Sequence, residues 1–96
     1  MITAKQLQNE YEKLYSSLRC YIWPYEVVCA IAALEASTYQ AFPDLSVVSN
    51  NFNKLKIQCS RFVKFDDDLN DKFRAFNEIV DQGDVLYAKL DARKEV

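Results

Sequence analysis

Residues 45–62 read LSVVSNNFNKLKIQCSRF, in which Leu45, Val48, Phe52, Leu55, Cys59 and Phe62 recur at alternating steps of three and four. That spacing brings one side chain per turn onto a single face of a helix and makes the stripe along which a helix packs lengthwise against others. Its polar face is rich in Asn and Lys: Asn50, Asn51, Asn53, Lys54, Lys56, Gln58 and Arg61, with Lys64 just beyond. The stretch predicts a helix with a buried seam and a solvated back. Before it, Phe42-Pro43-Asp44 breaks the chain, since proline disfavours helical backbone in the residue that precedes it.

The same period continues on both sides. Past Phe65-Asp66-Asp67-Asp68, where aspartates suit the start of a helix and the positive end of its dipole, Leu69, Phe73, Phe76, Val80, Gly83, Tyr87 and Leu90 form a second long seam. Gly83 lies within this seam, at a cost of about 1 kcal/mol against alanine, which implies a close crossing or a kink. At the N-terminal end Leu7, Tyr11, Leu14 and Leu18 step by four, three and four, with Tyr15 and Ile22 widening the stripe. Thr3 and Gln6 fit a capping box, so a first helix is expected from Thr3 to Tyr21. Pro24 suits the first turn of a second helix, expected to reach Ala41. The run Val27 to Leu34 in this helix is apolar on every side, the pattern of a helix enclosed by its neighbours. Ala30, Ala33, Ala36 and Ser37 would let those neighbours approach closely.

Four helical segments with short breaks predict an all-α fold, a compact up-down-up-down bundle in one domain spanning residues 1–96. A three-helix arrangement with a bent last helix is the rival. The expected core includes Leu14, Ile31, Leu55, Phe62, Phe73, Phe76 and Val80. Dimerisation through the third and fourth helices would bury more of their seams.

Composition narrows the function classes. The 96 residues are 50% apolar and 14% aromatic, too apolar for a disordered tail. One glycine and two prolines are too few for the corners of a β-sandwich or barrel. There is no histidine, so the commonest general base and metal ligand is missing. No catalytic residue, cofactor site or metal site is expected, and the chain reads as a non-enzyme. The aspartates at 66, 67, 68 and 71 lack the glycine and spaced ligands of a calcium loop and read as a helix cap. Three cysteines without paired or finger-like spacing favour a reduced, cytoplasmic setting. Cys29 and Cys59 read as core residues, and Cys20, beside Arg19, as the more reactive thiol. No leader-like segment opens the sequence, and the eight-residue apolar run is far short of the roughly 20 residues needed to span a bilayer.

The net charge of −2 does not imply polyanion binding by the whole molecule. Residues 45–65 nevertheless carry four cations and no acid, and residues 66–96 nine acids against five cations. Two surfaces follow as candidates. The first is protein-binding: Tyr21, Trp23, Tyr25, Phe65, Asp66, Asp67 and Asp68 should share one end of the bundle, where rigid aromatics ringed by acids suit an interface with a basic partner. A small acidic protein of this kind fits an inhibitor, an immunity or anti-defence protein, or a small chaperone. An inhibitor could present Asp66, Asp67, Asp68, Asp71, Asp81 and Asp84 to a basic channel. The second is a helix-turn-helix nucleic-acid surface, with Asn50, Asn53, Lys54 and Arg61 of the third helix gripping or reading. The acidic flanks and the glycine-free turn argue against it. Pairing of the basic face with the acidic second or fourth helix accounts for the same residues.

Overall fold

The computed structural model describes residues 3–94, with side chains described from Thr3 to Asp81. Its elements are α1 (Ala4–Leu18), α2 (Tyr25–Thr38), α3 (Leu45–Phe62) and α4 (Asp67–Lys94), with no strand among the described residues. An all-α bundle of four helices is therefore what this sequence makes, and the three-helix rival is set aside.

Three of the four helix starts, those of α1, α3 and α4, are explained by a side-chain cap. Gln6 N donates to Thr3 Oγ1 (3.2 Å) and Thr3 N donates to Gln6 Oε1 (2.7 Å), a complete capping box at α1. Asp44 Oδ1 accepts from Ser46 N at 3.0 Å and from Ser46 Oγ at 2.7 Å, opening α3. Asp66 Oδ1 accepts from Leu69 N at 2.8 Å, opening α4. A side-chain cap of this kind contributes about 1 kcal/mol.

Two boundaries differ from expectation. α1 stops at Leu18 rather than Tyr21, because the chain tightens: Cys20 N donates to Ser17 O (3.3 Å) and Tyr21 N to Leu18 O (3.1 Å). Ile22, read as part of the α1 stripe, consequently lies off the helix and is fully exposed. Pro24 is the residue before α2 rather than its first helical residue, with extended ψ of 166°. Its carbonyl accepts from Val27 N and Val28 N. α2 also ends at Thr38, three residues short of Ala41.

The helices meet in a ring, α1 with α2, α2 with α3, α3 with α4 and α4 with α1, while the diagonal pairs face each other across the core. The most extensive pairings are α2 with α3 and α1 with α4. One cluster drawn from all four helices fills the centre, including Leu7, Leu14, Val27, Leu34, Phe52, Leu55, Leu69 and Phe76. Phe52 touches Phe76 and Phe73 at ring-centre distances of 4.8 and 5.7 Å. Of the expected core, Leu14, Leu55, Phe73, Phe76 and Val80 are buried, and Ile31 packs against the cluster half-buried. Phe62 does not belong to it, being 49% exposed. It is the last residue of α3, and Phe65 beyond it turns back instead to stack on Phe73 at 5.0 Å. Gly83, Tyr87 and Leu90 lie outside the residues whose side chains are described.

Candidate protein-interaction surface

The two connections α1–α2 and α3–α4 do share one end, as an up-down-up-down chain requires. Tyr21 Oη donates to Asp66 Oδ2 at 2.8 Å, and Ser17 Oγ donates to Asp68 Oδ2 at 2.6 Å. Trp23 Nε1 donates to Leu18 O at 2.8 Å, a second donor, beside Tyr21 N, to a carbonyl at the end of α1. The Tyr21 and Trp23 rings lie 5.1 Å apart, and Tyr21, Trp23 and Phe65 pack half-buried against the core. So the structure gathers Tyr21, Trp23, Phe65, Asp66 and Asp68 and gives each an internal partner. The hydrogen bond to Asp66 holds the Tyr21 phenol above its ordinary range. The bond from Ser17, with help from Lys72, holds the Asp68 carboxyl below its ordinary range. Asp67 and Tyr25 point outward, Tyr25 79% exposed.

Asn50, Asn53, Lys54 and Arg61 are all exposed on α3. Asn50 and Asn53 line an open depression of about 400 Å³ with Ser46, Ser49, Val80 and Asp81. Asn51 is different: its Nδ2 donates to Ala33 O (3.3 Å) and Ser37 Oγ (3.2 Å) of α2, which fixes the flank that α3 turns toward α2. No ion pair among the described residues involves Lys54, Lys56, Arg61 or Lys64. The basic face is thus not neutralised by α2 or by the described part of α4.

The largest departure from the sequence reading is α2. It is apolar all round, yet it is not enclosed. Val27, Leu34 and Thr38 are buried, but Tyr25, Val28, Cys29, Ala32, Ala33 and Ala36 are exposed. Cys29, expected in the core, is on the outside with Cys20. Only Cys59 of the three is buried, and burial pushes its thiol up to about 11. The outward positions recur at 25, 28/29, 32 and 36, helix spacing again, so they form a continuous stripe. The signal was available in the sequence. In a ring of four helices every helix has an outer face, and a helix with no polar side must therefore expose an apolar one.

Along the edge shared with α1, the stripe is bordered by two reciprocal pairs. Tyr11 Oη donates to Glu35 Oε1 at 3.3 Å, and Tyr39 Oη donates to Glu12 Oε1 at 2.9 Å. The Tyr11 and Tyr39 rings meet edge-on at 5.8 Å. Burial, then the neighbouring Glu35 charge and hydrogen bond, hold the Tyr11 phenol far above its ordinary value. Burial and the Glu12 bond raise the Tyr39 phenol as well.

No group of His, Cys, Asp or Glu among the described residues could hold a metal ion. Among them too, no helix is long and apolar enough to cross a membrane. Comparison with known proteins gives no match: no family model, curated protein or solved structure is significantly similar to this chain.

Proposed function

We propose that this chain is a non-enzymatic protein-interaction module, of the inhibitor, immunity, anti-defence or small-chaperone kind, whose partner covers the outward face of α2. The observation that carries the reading is the apolar stripe from Tyr25 to Ala36, exposed on a helix whose only charged residues are Glu26 and Glu35. Scattered exposed apolar residues are ordinary, whereas a contiguous patch marks a contact surface. Ile22 and Tyr25 extend the stripe toward the aromatic end of the bundle. The absence of histidine and the internal engagement of Asp66 and Asp68 support a binding role over catalysis.

The nucleic-acid reading rests on the exposure of Asn50, Asn53, Lys54 and Arg61. Against it, α2 and α3 pack along each other as bundle neighbours, whereas a DNA-reading pair crosses at roughly 90–120°. The test is a photo-reactive benzoylphenylalanine placed at Ala32 or, as control, at Glu78 on α4, and irradiated in the native host. A discrete protein adduct is expected from position 32 and not from 78. Adducts to nucleic acid, or a protein adduct from 78 alone, would overturn the proposal.

A further inference from the structure

The exposed large apolar side chains are unevenly distributed. Tyr25, Val28, Val47, Ile57 and Phe62 belong to α2 and α3, Ile22, Tyr39 and Phe42 to the connections on either side of α2, and Tyr15 to α1, while α4 contributes none among the described residues. The small outward residues of α2, Cys29, Ala32 and Ala36, make a trough between the α1 edge marked by Glu35 and Tyr39 and the α3 flank marked by Asn51. Val47, four residues earlier, lies on the same flank, as does Lys54 one turn later, and Arg61 follows two turns beyond Lys54. On its α3 side the apolar floor is therefore edged by cations that have no ion pair among the described residues, and on its α1 side by Glu35 and Glu12, each of which accepts from a tyrosine.

From this juxtaposition we infer that the occupant of the α2–α3 trough is an amphipathic helix of another protein, with an apolar seam and acidic residues on its flank. This rests on the protein-interaction reading and specifies its partner. The floor from Tyr25 to Ala36 is about 16.5 Å long at 1.5 Å per residue, so a partner helix of three to four turns covers it. The seam fills the channel over Cys29, Ala32 and Ala36, and carboxylates on the flank reach Lys54 and Arg61, which favours acidic partners and rejects basic ones. A second copy fits poorly. A two-fold contact sets one patch against itself, bringing the α3 cations toward their own copies. The acids that α2 offers in return are Glu26 and Glu35, and Glu35 already accepts from Tyr11. A nucleic acid would leave the apolar floor uncovered.

Three fluorescently labelled, helix-forming 18-residue peptides test the inference. They share one leucine and alanine seam and carry glutamate, glutamine or lysine on one flank, with the other flank neutral, and binding to the full chain is read by anisotropy. The glutamate peptide is expected to bind on the order of tenfold more tightly than the lysine peptide in low salt, with the gap closing as salt is raised. Lys54→Glu with Arg61→Glu should invert the order, and Lys5→Glu with Arg74→Glu, away from the trough, should leave it unchanged. Ala32→Arg should abolish binding while the helical circular dichroism and the melting temperature stay as in the parent. Equal binding of the three peptides, or binding of none, overturns the inference. So does a dimer in sedimentation that Ala32→Arg dissolves, which would make the occupant a second copy, or displacement of the glutamate peptide by an oligonucleotide. If cross-linking from position 32 captures a protein and the Lys54/Arg61 reversal does not alter that capture, the acidic helix is wrong while the interaction module stands.

Discussion

At Tyr11, one side chain does three jobs at once. Its ring is buried in the core, its edge meets Tyr39, and its hydroxyl is bound to Glu35 on the next helix. The pairing has a pH signature. A phenol held above its ordinary value of 10.0 stays neutral in the folded chain while the unfolded chain ionises. Its contribution to stability is therefore fully present below about pH 10 and declines as pH rises further. Tyr39 and Tyr21 are shifted in the same direction. Tyr11→Phe should accordingly flatten, without removing, the loss of stability between pH 9 and 11, as measured by urea unfolding at stepped pH. Parallel curves for the two proteins would show that the hydroxyl carries no such linkage. Asp68 works in the opposite sense: its lowered carboxyl value supports the fold above the ordinary carboxylate range and is lost as pH falls through it.

Among the elements, the two long seams behave unequally at their ends. Phe73 is buried against Phe52 and Phe65, whereas Phe62 closes α3 half in solvent. Phe73→Ala should cost about 3–5 kcal/mol, and Phe62→Ala less than about 1.5 kcal/mol; urea midpoints of the two variants decide this, and equal losses would contradict the packing described. The existence and order of all four helices, and the seams of α1, α3 and the described part of α4, were legible, because a three-four period over several turns has no other economical reading. So were the caps at Thr3 and at Asp66 and the meeting of Tyr21 with Asp66. Helix ends were less legible. A short turn such as Cys20-Tyr21 or an extended Pro24 depends on backbone geometry that hydrophobic period does not encode. The α2 face was misread for another reason: an all-apolar run states that a helix is covered, and leaves open whether its own chain or another does the covering. Cys29 and Ala32 have the same composition in either case.

Taken whole, the molecule is two helix pairs laid side by side, α2 with α3 and α1 with α4, since these are its most extensive pairings. They differ in how far apart along the chain their members lie. The α2–α3 pair is a hairpin joined by the short segment from Tyr39 to Asp44, whereas the α1–α4 pair is tied by bonds such as Ser17 to Asp68, 51 residues apart. Local pairings can form before the large loop is closed, and closing it costs chain entropy that only the later contacts offset. The hairpin should therefore be the folding nucleus and the terminal pair the late step. In stopped-flow urea chevrons, Leu55→Ala should mainly slow refolding, while Leu7→Ala should mainly speed unfolding; the reverse assignment would place the nucleus at the chain ends. If the order holds, the trough that awaits a partner is built first, on the hairpin, and a nascent chain could present it before α4 has docked.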